Sequence, residues 1–229
     1  MKKKFVIAVD GASATGKSTI SKLIASEFDL SYLDTGAIYR CVALVAKEQK
    51  ISFDEDSKLK IICETLPLKF EFINGVNHVF LGTRDVSEDI RIPEMSMLAS
   101  SVSALPVVRA SLLDMQRRLA KETPKIGSLV DGRDIGTVVF PDADVKIFLT
   151  ASDEVRATRR YKELKEKGLE VEYADVLEQT IQRDKQDSQR AIAPLKRAQD
   201  AIEINTNKMG IDAEKNKVLS IIREKLSLN

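Results

Sequence analysis

Gly11-Ala12-Ser13-Ala14-Thr15-Gly16-Lys17-Ser18 decides the fold of this chain. It fits G-x-x-x-x-G-K-S/T and follows the apolar run Phe5-Val6-Ile7-Ala8-Val9, so a strand ends here and a helix begins at about Lys17. Between them, backbone N–H groups of a glycine-bearing turn can wrap a triphosphate, with Lys17 reaching the outer phosphates and the Ser18 hydroxyl reaching Mg²⁺. The positive end of the helix dipole adds to the same anion. Gly11, Ala12, Ser13, Ala14, Thr15, Gly16, Lys17, Ser18 and Thr19 are the candidate donor-binding set, and Ser18 the candidate metal ligand. The competing reading, an ordinary glycine turn, does not explain the strand-then-helix context.

Working outward, Ile20, Leu23, Ile24 and Phe28 recur at helical spacing. A short strand at about Ser31 to Leu33 leads into Asp34-Thr35-Gly36-Ala37-Ile38-Tyr39-Arg40 and a helix to about Lys50. Leu68 to Ile73 alternates, Asn74-Gly75 turns and Val76 to Leu81 returns, which is a hairpin pattern. Helices are expected from Ile92 to Leu105 and Val107 to Lys121, divided by Pro106. Ile126 to Val130 and Val145 to Leu149 read as buried strands, the first running into Asp131-Gly132-Arg133-Asp134. A charge-dense helical stretch, Ser152 to Arg190, precedes a fifth strand at about Ala201 to Asn205 and a last helix from about Asp212 to Leu226. Strands separated by helices predict an α/β fold with a parallel sheet and ligands at the strands' carboxyl ends, where Asp10, Asp34 and Asp131 fall. One domain with two excursions is the expected organisation.

Composition narrows the function classes. Among 229 residues, 36 basic and 35 acidic side chains leave a formal net charge of +1, so no overall field recruits nucleic acid or an anionic membrane. Lys2-Lys3-Lys4 precedes an apolar run that Asp10 stops after about half the length a signal peptide needs, and no run approaches a membrane span of ~18 residues. Cys41 and Cys63, in apolar surroundings, read as reduced core thiols, and a cytoplasmic setting is expected. His78, the single histidine, is expected to be solvated beside the turn. Metal clusters, Cys-His pairs and Ser-His-Asp triads are thereby nearly excluded.

Arg156, Arg159 and Arg160 fall at i, i+3 and i+4, hence on one helix face. Arg183 and Arg190 lie two turns apart with Asp187 between them. Alone, such a pattern reads as a solvated charged face. Beside a phosphate loop it fits a lid, because phosphoryl transfer needs cations that neutralise charge and shut out water, and arginine's planar fork suits phosphate. Asn207-Lys208-Met209-Gly210 lacks the aspartate with which a GTPase reads its base, and neither a protein-kinase catalytic loop nor D-F-G occurs. No evident general base accompanies the loop. That absence suits an acceptor which is itself a phosphate, mostly dianionic near neutral pH with a second pKa of about 6.

These blocks, in this order over nearly the whole chain, resemble the bacterial cytidylate kinases, nucleoside monophosphate kinases of the P-loop class. The resemblance is carried by Asp10-Gly11 with the loop, Leu33 to Arg40, Asp131 to Pro141, Arg156-Ala157-Thr158-Arg159-Arg160, Arg183-Asp184, and Arg190 to Leu195. It implies a three-layer P-loop fold with a central five-stranded parallel sheet, a monophosphate-binding insertion at about 35–122 carrying the hairpin, and a helical lid at about 152–190. It also implies direct in-line transfer from ATP, with Mg²⁺, to CMP or dCMP; a monomer without nucleic-acid or membrane partners is expected. On the matching positions, Ser100, Arg109 and Asp131 would read cytosine, Thr35, Arg40, Arg183 and Arg190 would hold the acceptor phosphate, and Asp187 the sugar hydroxyls. Arg156 and Arg160 would clasp ATP; with Lys17, Arg183 and Arg190 they form the candidate catalytic set. A kinase of UMP or AMP is the alternative enzyme, and a nucleotide-switched binding module the alternative of another class. Two positions depart from the pattern: Ala12-Ser13-Ala14 stands where Pro-Ser-Gly or Pro-Ala-Gly is common, and Thr35 where serine is. Ala14 is expected at φ < 0.

Overall fold

The computed structural model describes residues 4–73 and 76–227, so the Asn74-Gly75 turn lies outside the described residues. The chain divides into two compact units, Met1–Tyr32 with Ala120–Asn229, and Leu33–Leu119.

The first unit is built on β1 (Phe5–Gly11), α1 (Lys17–Glu27), β6 (Gly127–Gly132), β7 (Val145–Thr150), α6 (Asp153–Glu166), α7 (Tyr173–Gln189), β8 (Ile202–Asn205) and α8 (Ile211–Leu226). With β2 (Ser31–Asp34), which crosses into the second unit, these strands form one parallel sheet ordered β2-β6-β1-β7-β8. β1 sits centrally, Val9 opposite Asp131 and Ile147, so the loop after it emerges where β6 and β7 also end. β1 and β6 are buried almost throughout, as a sheet covered on both faces requires. Ile7, Val9, Leu129 and Ile147 pack with Ile20 and Ile24 of α1 and Val218 and Ile222 of α8. These buried positions give each helix its apolar stripe at three- and four-residue spacing. After β6, residues Ile135–Val139 form a π-helical turn, which the alternation of apolar and polar residues did not signal.

The second unit holds α2 (Thr35–Glu48), α3 (Asp56–Thr65), β3 (Leu68–Ile73), β4 (Val76–Leu81), β5 (Arg84–Asp85), α4 (Pro93–Ser103) and most of α5 (Pro106–Lys121). β3 and β4 pair antiparallel, Phe70 opposite Val79, and β5 adds a third short strand. Pro106 opens α5 at its first turn, where its missing N–H costs nothing, and α4 and α5 meet at 99°. Among the described residues no single helix is long and apolar enough to cross a membrane.

Cys41 and Cys63 are free and buried, and burial pushes both thiols up to about 12. His78 departs from the solvated reading. It is half-buried on β4, stacks on Phe80, and its Nδ1 lies 2.6 Å from Asp85 Oδ2 on the neighbouring strand.

Candidate active site

The turn between β1 and α1 has its tightest points at glycine. At Gly11, with φ 150, a Cβ would stand 2.3 Å from the Leu149 carbonyl oxygen, so only glycine lets β1 run this close to β7. Ala14 does not take the expected φ < 0; it sits at φ 58, the left-handed region. The reason is geometric: turning successive N–H groups inward to form an anion-binding hollow alternates right- and left-handed residues, and Ala14 supplies a left-handed one despite its Cβ. Lys17 folds back on the loop, its Nζ donating to Ala12 O at 2.6 Å. The Thr15 hydroxyl donates to the same carbonyl at 3.0 Å.

Around this loop the first unit gathers charge. Burial, helped by the cations of Arg133 and Arg183, lowers the Lys17 ammonium to about 7, against the pull of Asp131 and Asp10. Asp10 is buried and raised to about 6, mainly by desolvation. Its two oxygens accept the N–H groups of Ile135 and Gly136 at 2.8 and 2.7 Å, pinning the π-helical turn to the end of β1. Ser18 donates its hydroxyl to Asp131 Oδ2 at 3.0 Å, and Tyr32 donates to the same oxygen at 2.8 Å.

Arg156 is fully buried, with Nη1 donating to Ser13 O at 3.2 Å and to Asp184 Oδ1 at 3.0 Å, and Nη2 donating to Asp153 and Asp184. Arg183 of α7 reaches Ser13 Oγ at 3.4 Å. Arg190 ends α7 in extended backbone, within 3.4 Å of Asp134, and its Nε donates to Ala193 O. Arg133, absent from the expected set, donates to Asp187 at 2.9 Å. Burial works against the charge of both partners, yet the attraction wins: Asp187, Asp131 and Asp184 raise Arg133 further, and Arg133, Arg183 and Arg190 hold Asp187 below the usual carboxylate range. The arginines at 156, 159 and 160 do not share one environment. Arg160 pairs with Glu163 at 2.8 Å, and Arg159 donates to Thr206. Their spacing fixed a common helix face, but each long side chain found its own acceptor.

In the second unit Asp34 caps α2, accepting from Ala37 N at 3.0 Å, and takes Arg40 Nη2 at 2.8 Å; Thr35, the first residue of the helix, is buried. Ser100 and Arg109 lie buried on α4 and α5, with Ser103 donating to Ser100 O and Arg109 to Ser103 O at 3.2 Å. The Arg109 guanidinium lies 5.7 Å from the centre of the Tyr39 ring, whose hydroxyl accepts from buried Gln116. Tyr39 and Gln116 were not singled out by sequence; a polar glutamine amid an apolar helical repeat was the available signal.

The chain matches the sequence model of the family described as Cytidylate kinase over residues 7–224. It belongs to the cytidylate kinase family. Among curated cytidylate kinases it is 46% identical to that of Thermosipho melanesiensis over 222 residues, covering 97% of this chain and 98% of the relative. The cytidylate kinase of Geobacter sulfurreducens is 46% identical, with 96% and 93% covered. That of Bacillus cereus is 41% identical, with 97% of both covered. An uncharacterised protein from Eubacterium ventriosum superposes with a TM-score of 0.53 at 12% identity over 96% of this chain and 98% of its own, a likeness of fold alone. The loop at Gly11 to Ser18 and the arginines gathered on it form a cationic hollow whose chemistry suits a phosphate group. The donor set there also fits Mg²⁺, which takes one or two protein oxygens beside water and phosphate: the Ser18 hydroxyl and the Asp131 carboxylate already adjoin.

Proposed function

We propose that this protein catalyses ATP-dependent phosphorylation of CMP and dCMP to CDP and dCDP, in a cytoplasmic setting and as a monomer. The observation that carries the reading is the phosphate loop with Lys17, Arg156 and Arg183 gathered on it, in a chain of the cytidylate kinase family. An oxygen of the acceptor phosphate forms the new bond to the γ-phosphorus as the bond to the β–γ bridging oxygen breaks, so ADP leaves without a covalent enzyme intermediate. Lys17, Arg156, Arg160, Arg183 and Arg190 stabilise charge that spreads over the moving phosphoryl group, and closure of α6 and α7 excludes water. ATP lowers the cost of a charged Lys17, because a polyanion beside the ammonium favours its protonated form. Mg²⁺, when bound, neutralises phosphate charge. Ser18 would hold it, with Asp131 orienting the Ser18 hydroxyl.

Thr35 and Arg40 take the acceptor phosphate and Ser100 and Arg109 the base, while Asp187 serves the sugar hydroxyls. Asp131 is the one residue whose assignment we move. The resemblance gives it cytosine, but a carboxylate oxygen already accepting from Ser18 and Tyr32 supports a place on the metal side. For Asp131→Asn we therefore expect a Mg²⁺ requirement raised about tenfold, comparable to the loss of one charge-assisted hydrogen bond, with the CMP-to-UMP preference unchanged. A preference that fell with unaltered Mg²⁺ dependence would return Asp131 to the base. ADP release over a panel of CMP, dCMP, UMP, AMP and GMP tests the activity itself; dominance of UMP or AMP would refute the cytosine assignment.

A further inference from the structure

Arg159 follows Arg156 by less than one turn of α6, but its guanidinium is engaged at the end of β8. Nη1 donates to Thr206 Oγ1 at 3.1 Å and Nη2 to Thr206 O at 2.8 Å. Thr206 is fully buried, and its own hydroxyl lies 3.2 Å from the carbonyl oxygens of Thr15 and of Thr150. A hydroxyl that accepts from a cation donates more strongly in turn. The single hydroxyl proton is shared between these two carbonyls, so the path Arg159 to Thr206 reaches the phosphate-loop backbone at Thr15 and the end of β7 at Thr150. In a trans peptide the carbonyl and the following N–H point to opposite sides. Holding the Thr15 carbonyl toward Thr206 therefore aims the Gly16 N–H away from it, toward the side where an anion sits.

Glu214, in the first turn of α8, closes the same region. It is buried, and a Cβ at Gly16 would stand 3.0 Å from its Oε1 and 3.1 Å from its Oε2. Its Oε1 has no hydrogen-bond partner among the described residues, and the charges facing it are Arg159 and Lys17. The carboxylate thus packs against Gly16 where a side chain would stand, on the face of the loop that Thr206 also holds.

We propose that Arg159, Thr206 and Glu214 are positioning residues which shape the phosphate loop from its protein side, so that grip on the nucleoside triphosphate depends on helix α6 through the Thr15 carbonyl. The proposal rests on reading the loop as the ATP site. It separates Arg159 from Arg156 and Arg160: Arg159 acts on the loop, not on phosphate.

Hydrogen–deuterium exchange of the ligand-free protein gives the direct test, since a phosphate ligand has no effect there. In Arg159→Gln the amides of residues 12–18 exchange at least about fivefold faster, ATP dissociates with a Kd raised about tenfold, as for one charge-assisted hydrogen bond, and the KM for CMP stays within about twofold. Thr206→Val weakens ATP similarly, the double variant is no weaker than the poorer single one, and Thr206→Ser, which keeps the hydroxyl, behaves as the parent. Unchanged loop exchange in Arg159→Gln overturns the proposal, as do costs that multiply in the double variant. If Thr206→Val does not give a cooperative melt, loop exchange in Arg159→Gln and Thr206→Ser decides alone. A parent protein that binds no ATP would defeat the kinase reading, whereas normal ATP binding with unchanged loop exchange in the variant defeats only this inference.

Discussion

In the first unit Arg133, Arg156 and Arg190 rest against the carboxylates of Asp187, Asp184 and Asp134, while in the second Arg109 rests on the Ser103 carbonyl and beside the Tyr39 ring. The second unit repeats the contrast internally, since Arg40 is held by the Asp34 carboxylate. Pairing with a carboxylate keeps a buried guanidinium charged and oriented, a state that suits an arginine whose ligand is a multiply charged phosphate. The Ser103 carbonyl and the Tyr39 ring also fix the Arg109 fork, whose several donors suit recognition of a base through its acceptor atoms. On the proposed assignment, Arg156 and Arg190 serve phosphate and Arg109 the base. Removing one residue from each side tests that division.

The largest effect is expected in the phosphate-facing region. Lys17→Ala removes the cation proposed to meet developing charge, so kcat/KM should fall about 10²- to 10³-fold or more, with the KM for CMP changing much less. Comparable loss of affinity for CMP would erase the distinction between the two units. Arg109→Gln comes next: it should raise the KM for CMP about 10- to 100-fold, the value of a hydrogen bond to a charged group, and leave the KM for ATP within about twofold. Steady-state kinetics with each substrate varied in turn reads both.

Much of this was legible in the chain. The loop, the parallel sheet and the hairpin strands follow from periodicity and from turn chemistry that is local in sequence. Asp131 and Arg133 lay in a stretch whose place at a strand end was evident, but their partners, Ser18 and Asp187, stand 113 and 54 residues away. Spacing along one helix told that Arg156 and Arg159 share a face, and could not tell that one meets Asp184 and the other Thr206. The π-helical turn at Ile135–Val139 was equally hidden, because it is imposed by Asp10 at the far end of β1. What escaped the sequence was long-range pairing of polar groups, which leaves no periodic trace.

A smaller effect separates the protein side of the loop from its phosphate side. Burial raises the Glu214 carboxyl to about 7, with Arg159 and Lys17 opposing the shift. Between the ordinary carboxylate value and about 7, the folded chain keeps a proton that the unfolded chain has released, so this group's contribution to stability declines as pH rises through that window. Glu214→Gln, neutral at every pH, should melt higher than the parent at pH 8 and level with it at pH 5. A Tm difference independent of pH would show that packing, not charge, governs the site.

The smallest effect concerns Ala14, whose φ of 58 is paid in strain within the loop. A left-handed conformation costs a residue with a Cβ about 1–2 kcal/mol, and glycine escapes most of that cost. Glycine also loosens the unfolded chain, which returns about 0.4–1 kcal/mol. Ala14→Gly should therefore gain about 0.5–1 kcal/mol, a rise of roughly 1–4 °C in Tm for a chain of this size, with kcat within about twofold. The comparison with Glu214 is then sharp, because the Ala14→Gly gain carries no proton and must be the same at pH 5 and pH 8. A fall in Tm would mean that the alanine methyl makes packing contacts worth more than the backbone strain it imposes.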